Sequence, residues 1–303
     1  MPIQTETLRR IPTGGRVAII RLRSLGDCVL TTPAIRLLKN FRPDLQLRVV
    51  AEERFAPIFG SMAMAPTAFA MRAFAPDLCL NLHGGTRSAR LTLLSGARIR
   101  AGFAIFRPAW ICNTPIPTAQ ETMGIARRVH TAEHLASAMF YLGVPLSEVP
   151  GACVAALPGR SKLAPEERYA VVHPLAATPE KTWPSVAFLE VANYLKGLGL
   201  QVVFIGGPGE SLSEFAAYRT VTGAPLSEMS ALLRDASFFV GNDSGPAHLA
   251  AAFGVPQVII FGPSDAETWA PWRTPSRTVK ADGPIAGITV EQVIAAIGEV
   301  GVR

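Results

Sequence analysis

The stretch Ser237-Phe-Phe-Val-Gly-Asn-Asp-Ser-Gly-Pro-Ala-His-Leu-Ala-Ala-Ala-Phe-Gly-Val-Pro256 constrains the fold more than any other part of the chain. Ser237 to Val240 reads as a buried strand, Gly241 to Gly245 as a tight polar turn, and the alanine-rich run after it as a helix ending at Gly254. The apolar run Gln257 to Phe261 follows at once and reads as the next parallel strand. The turn sets Asp243 and Ser244 where the helix begins, with Pro246 at a position where a missing N–H costs nothing. The first backbone N–H groups of a helix have no intrahelical partner. With the positive end of the helix dipole they form a site for a phosphate or another anion.

The same strand–turn–helix grammar runs through the rest of the chain. Strands are expected at Arg16–Leu22, Leu45–Ala51, Leu78–Leu82, Tyr169–His173 and Gln201–Ile205. Helices are expected at Cys28–Asn40, Thr86–Ser95, His130–Leu142, Ser185–Leu198, Ala224–Arg234 and Thr289–Val300, the last capped by Thr289. A further helix is expected after the turn Gly206-Gly-Pro-Gly-Glu210. No element is assigned to Glu52–Met71, and Ile99–Pro117 reads as irregular. Strand–helix alternation throughout implies parallel sheets covered on both faces. At 303 residues, length favours two domains. A shift to Pro, Gly, Ala and Ser between Pro145 and Glu167 marks the linker. The division expected is 1–155 and 156–303, with the last helix free to pack back on the first domain. Two doubly wound domains facing each other place ligands at the carboxyl ends of their strands, in the cleft between them.

Charge is spread unevenly. Up to Ala155 there are 18 Lys and Arg against 9 Asp and Glu, and after it 11 against 14, for +6 overall. So basic a first half is either a solvated face or a surface for a polyanion or a membrane. The four cysteines (Cys28, Cys79, Cys112, Cys153) form no CxxC pair, which indicates neither a zinc site nor a disulfide framework and fits a reducing compartment. The segment Met1–Gly15 lacks the apolar core of a signal peptide, and no apolar run is long enough to span a bilayer. A cytoplasmic location follows, with any membrane contact peripheral.

Four segments carry candidate chemistry. Asp27, in the loop Ser24-Leu-Gly-Asp27 after the first strand, is either a helix cap or a general base placed to take a proton from an attacking hydroxyl. Lys181 lies in the long loop from His173 to Pro184, after the first strand of the second half, where it can neutralise a pyrophosphate as a point charge. Gly206-Gly-Pro-Gly-Glu210 is a strand-to-helix turn whose glycines permit close backbone approach and whose Glu210 can accept hydrogen bonds from ribose hydroxyls. His248 lies one turn into the helix of the opening stretch and is either a packed core residue or a partner in its anion site. The pattern is not GxGxxG, nor is there a Walker sequence, which disfavours a nicotinamide dehydrogenase and a P-loop enzyme.

Taken together, Leu25-Gly-Asp27 with Thr31-Thr-Pro-Ala34, His173 through Lys181-Thr-Trp-Pro184, Gly206-Gly-Pro208 and Gly241-Asn-Asp-Ser-Gly-Pro-Ala-His248 resemble the ADP-heptose:lipopolysaccharide heptosyltransferase family. The resemblance spans nearly the whole chain in the right order. It implies a GT-B fold of two Rossmann-like domains, the acceptor on the first and the nucleotide-sugar on the second. It further implies an inverting glycosyl transfer with no cofactor and no essential metal, at the cytoplasmic face of the inner membrane. Under it, Asp27 is the catalytic base, and Lys181, Asp243, Ser244, Gly245 and His248 hold the donor. Glu210, or Glu214 in its place, binds the nucleoside. The partners implied are ADP-heptose and an anionic glycolipid acceptor, with no nucleic acid. The basic surplus then has a use, and Arg21, Arg23, Arg87 and Arg90 are its candidate acceptor contacts, with Arg98 and Arg107 beyond them. Leu175 and the loop Ala176-Ala-Thr-Pro179 depart from the family pattern, and these departures bear on the donor. Two rivals share the cleft: a nucleotide-sugar 2-epimerase, and a nucleotide-sugar-binding protein without catalysis.

Overall fold

Apolar strands linked by helices fold here into two separate parallel sheets, in a computed structural model that describes residues 3–155 and 159–303. The chain divides into two compact units, Met1–Ala155 and Ala156–Arg303. The middle of the expected linker, residues 156–158, lies outside the described residues.

In the first unit the strands are β1 (Arg16–Ile20), β2 (Gln46–Val50), β3 (Ala63–Met64), β4 (Leu78–Asn81), β5 (Ile99–Phe103) and β6 (Thr114–Ile116). Their order across the sheet is β3-β2-β1-β4-β5-β6, with every pairing parallel. In the second they are β7 (Tyr169–His173), β8 (Gln201–Gly206), β9 (Arg219–Thr222), β10 (Phe238–Asn242), β11 (Gln257–Phe261) and β12 (Ser276–Lys280). Read from β9, that sheet runs β9-β8-β7-β10-β11-β12, the same doubly wound order, again all parallel. Each sheet therefore reverses its winding once, between β1 and β4 in the first and between β7 and β10 in the second. In open α/β sheets ligands bind outside the carboxyl ends of the two strands at that switch point.

Central strands are buried on both faces: β7, β10 and β11 expose no residue, as their continuous apolar runs require. The longer helices are α1 (Leu25–Phe41), α2 (Thr86–Leu94), α3 (Thr131–Leu142), α4 (Ser185–Gly197), α5 (Leu226–Arg234), α6 (Gly245–Ala252) and α7 (Val290–Val300). The last, α7, packs against β11, β12 and α4 of its own unit.

Two expectations are corrected. The segment read as irregular, Ile99–Pro117, holds β5 and β6. Gly102 and Pro115 hid them: Gly102 lets Cys112 Sγ approach where a Cβ would sit 2.9 Å away, and Pro115 is tolerated because β6 is an edge strand. After the Gly206 turn there is no helix but a single 3-10 turn (Ser213–Phe215) and then the edge strand β9, in which only Val221 is buried. The edge strand β12 carries no strand signal in the sequence, because Ser-Arg-Thr-Val-Lys leaves Arg277, Thr278 and Lys280 exposed and puts charge on both faces. Glu52–Met71 contains short turns, the two-residue β3 and the start of a helix, Ala68–Phe74.

Candidate functional site

At the switch point of the first sheet, the chain leaves β1 through Arg21–Ser24 and enters α1. Ser24 is the N-cap of that helix and Asp27 its third residue, and the two form a capping box. Ser24 Oγ donates to Asp27 Oδ2 at 3.1 Å, and the Ser24 N–H points at the same oxygen from 3.5 Å. The other carboxylate oxygen, Oδ1, faces Arg21 Nη1 at 3.3 Å. The side chain of Asp27 nevertheless stays 28% exposed, so a carboxylate oriented on both sides is open to an incoming hydroxyl. Arg21 is buried; burial pulls its pKa down and the neighbouring carboxylate opposes that pull. A buried guanidinium without such a partner would carry its full desolvation cost.

Across the switch point, β4 ends in Asn81, whose Oδ1 accepts the N–H groups of His83 (3.0 Å) and Gly84 (3.1 Å). Its amide donates to Ser88 Oγ on α2 at 3.2 Å, which fixes the loop. Burial lowers the pKa of His83, the positive charge of Arg21 lowers it further, and Asp27 works the other way. A neutral imidazole therefore sits within the field of the Arg21–Asp27 pair at neutral pH. Beside Asp27, burial pushes the Cys28 thiol up to about 12, which removes it as a nucleophile.

In the second unit the switch point lies between β7 and β10. Asn242, fully buried at the end of β10, spans the loop that follows β7. Its Oδ1 accepts from the Trp183 backbone N–H at 3.1 Å and its Nδ2 donates to the Pro174 carbonyl at 2.8 Å. Trp183 is itself buried, and its indole N–H donates to Ile288 O at 2.9 Å. From underneath, Gly262 approaches so closely that any Cβ there would collide with the Glu180 carbonyl oxygen. The loop bearing Lys181 is therefore held at both ends and from below. Lys181 Nζ lies 3.2 Å from Asp243 Oδ2, with the lysine 34% and the aspartate 10% exposed.

Ser244 is the N-cap of α6, with Pro246 at the helix start, yet its hydroxyl makes no bond to the helix amides. It turns instead to His173 Nδ1 at 2.9 Å. Burial brings His173 down to about 4, so the imidazole is neutral. The first-turn amides of α6 thus keep no side-chain cap, with a hydroxyl and an ammonium beside them. That is the donor set for a phosphate.

The chain matches the model of glycosyltransferase family 9 (heptosyltransferase) over residues 68–286. The chain belongs to this family. It is 26% identical over 290 residues to lipopolysaccharide heptosyltransferase 3 of Escherichia coli K12, covering 83% of each chain. It is also 25% identical over 284 residues to lipopolysaccharide heptosyltransferase 1 of Salmonella typhimurium, covering 82% of this chain and 89% of that one. The fold agrees with the crystal structure of a family 9 glycosyltransferase from Veillonella parvula (TM-score 0.80, 21% identity, 94% and 97% covered). It agrees likewise with the solved structure of the E. coli heptosyltransferase WaaC with ADP (TM-score 0.75, 21% identity, 94% and 100% covered). The protein is a glycosyltransferase with the GT-B pair of Rossmann-like domains.

Within this family 9 enzyme, Lys181, Asp243, Ser244 and Gly245 gather at the start of α6. His248 lies one turn further in, buried, its ring 6.4 Å from that of Trp269. Glu210 follows β8, the neighbour of β7, and its Oε2 accepts the Gly207 N–H at 2.6 Å, closing the glycine turn. Glu214 is exposed on the 3-10 turn beyond. In the first unit Arg21 is the arginine that touches Asp27. Arg87 is paired with Glu52 at 3.0 Å, and Arg23 and Arg90 are exposed. Sequence reasoning passed over His83, His173 and Asn242 as site residues. Each stands at the carboxyl end of a switch-point strand, and that position was the signal.

Proposed function

We propose that this glycosyltransferase moves a heptose from ADP-heptose to an anionic lipopolysaccharide inner-core acceptor, with inversion at the anomeric carbon. The observation that carries the reading is the set at α6: uncapped helix amides, the Ser244 hydroxyl and the Lys181 ammonium beside Asp243. These groups suit a pyrophosphate whose negative charge grows as the glycosidic bond breaks. Being fixed, they stabilise the leaving group more in the transition state than in the ground state. Asp27 takes the proton of the acceptor hydroxyl as that oxygen bonds to the anomeric carbon and the nucleoside diphosphate departs. The second unit is the donor domain and the first the acceptor domain, with Glu210 holding the nucleoside and Arg21, Arg23, Arg87 and Arg90 supplying positive charge for the acceptor. Two of the relatives are named as heptosyltransferases of lipopolysaccharide, which supports this choice of sugar and acceptor.

Thermal shifts with ADP, UDP, GDP and CDP test the nucleotide, because a ligand bound only by the native state raises stability. A shift with ADP is expected; a shift with UDP alone overturns the heptose donor. Incubation with ADP-heptose and a heptose-deficient lipopolysaccharide should then release ADP in step with extension of the glycan. Conversion of the donor to an epimer without acceptor would identify an epimerase instead.

A further inference from the structure

Between Asp77 and Glu121 the sequence contains no acidic residue and five arginines: Arg87, Arg90, Arg98, Arg100 and Arg107. That segment runs from β4 through α2 and β5 to β6, and it carries three of the large apolar side chains most exposed on the protein. Leu93 is 43%, Ile105 66% and Trp110 68% exposed.

The loop after β5 is built to present two of them. Its ends face inward: Phe103 and Ile111 are buried, and Phe106 meets Phe103 edge-on with ring centroids 5.7 Å apart. A Cβ at Gly84 would lie 2.8 Å from the Phe106 ring, so the loop is seated closely against the end of β4. Arg107 donates to the carbonyls of Ala104 (2.9 Å) and Phe106 (3.2 Å), which closes the turn while leaving the guanidinium exposed. Ile105 and Trp110 point outward from a braced loop. The 3-10 turn that carries Trp110 packs against α2. On that helix Arg87, Arg90 and Leu93 follow one another at spacings of three residues, along one exposed face.

We propose that this surface docks the protein on an anionic lipid bilayer. An exposed tryptophan and isoleucine set among arginines match an interfacial depth at which an apolar body and a cation are both satisfied. The segment itself holds no carboxylate to repel an anionic surface, and Glu52, which reaches it from outside, is neutralised by Arg87 and Arg54, each at 3.0 Å. No helix among the described residues is long and apolar enough to cross a membrane, so the contact is one of surface. The loop leaves the carboxyl end of β5, and β1 leads to Asp27 at the same edge of the parallel sheet. A bilayer held there would bring an amphiphilic acceptor to the base. The docking itself stands without the heptosyl reading, since it needs neither donor nor acceptor.

Flotation of the full chain with vesicles tests it, using phosphatidylcholine alone and phosphatidylcholine with about 30% phosphatidylglycerol. The protein should float with the anionic vesicles at about 0.05 M salt and release at about 0.5 M. The double variant Ile105→Ser, Trp110→Ser should lose binding at least about tenfold while keeping its circular dichroism and thermal midpoint. A second pair, Arg90→Glu and Arg98→Glu, changes only exposed side chains and should weaken binding to the same degree. No flotation of the parent protein, or undiminished flotation of both variants, overturns the proposal. So does equal binding to the two vesicle types, because that removes the role of the arginines.

Discussion

His173 Nδ1 lies 2.9 Å from Ser244 Oγ, so the N-cap hydroxyl of α6 is held by an imidazole from the neighbouring strand and not by the helix it begins. The two strands are in register here, Gly241 of β10 opposite His173 of β7, which brings the ring under the turn. Gly241 makes that approach possible, because a Cβ there would lie 2.8 Å from the His173 carbonyl oxygen. In the tautomer that carries its proton on Nδ1, the neutral imidazole donates to the serine oxygen and leaves the Ser244 O–H to point at an anion.

Replacing His173 should therefore weaken phosphate binding through Ser244. His173→Ala is expected to lower affinity for ADP about tenfold, the scale of one hydrogen bond to a charged group. His173→Asn places an amide donor near the same point and should recover most of it. Titration calorimetry of both variants, each with and without Ser244→Ala, checks the pathway. Losses that add across the two sites would show that the histidine acts elsewhere.

The same burial predicts an acid limb in stability. His173 titrates near 4 in the folded protein because burial disfavours its charged form. In the unfolded chain it takes up a proton near 6.5, the ordinary value. Below that pH the unfolded state binds the extra proton, so stability present at neutral pH falls as the pH drops from about 6.5 towards 4, by on the order of 3 kcal/mol from this residue. Unfolding of the C-terminal unit followed against pH should show the limb, and His173→Asn should flatten it. His83 and His134 are also lowered by burial and titrate in the other unit, so the difference between the two proteins isolates His173.

Asp27→Asn preserves the shape of the capping box and removes the proposed base. Turnover should fall by about 10²–10⁴-fold with affinity for ADP unchanged. Arg21→Met removes the guanidinium that faces Oδ1 and should lower kcat about tenfold while leaving ADP binding intact, with partial recovery in Arg21→Lys. Transfer kinetics beside ADP calorimetry separate these effects. A loss below about tenfold in Asp27→Asn would return the aspartate to a purely structural cap.

Much of this arrangement could be read from sequence because the strongest signals were local. The apolar runs of β7, β10 and β11 are buried on both faces, so no polar alternation obscures them, and Asp243-Ser244 stands directly at a helix start. Edge strands were harder. β6 contains a proline and β9 buries one residue in four, so neither has the period of a central strand. The side chains missed in the site were those whose roles depend on a partner far along the chain. Asn242 bonds the loop from Pro174 to Trp183, and His173 meets Ser244 seventy-one residues on. Nothing beside them in the sequence announces either pairing.

Gly262 supports Lys181 from a distance that sequence spacing hides. It follows β11, and an added Cβ would collide with the carbonyl oxygen of Glu180 and come within 3.4 Å of Lys181 Cα. Both obstacles are backbone, so the Lys181 loop must move to admit even a methyl group. The Asn242 clamp and the buried Trp183 resist that movement at the far end of the loop. Gly262→Ala should therefore displace Lys181 from its position 3.2 Å from Asp243 and weaken ADP binding by about as much as Lys181→Ala does, roughly tenfold for one phosphate contact. Adenosine has no phosphate and should bind the parent and both variants alike. Calorimetry with the two ligands checks this, and an unchanged affinity for ADP in Gly262→Ala would show that the loop absorbs the methyl group without shifting the lysine.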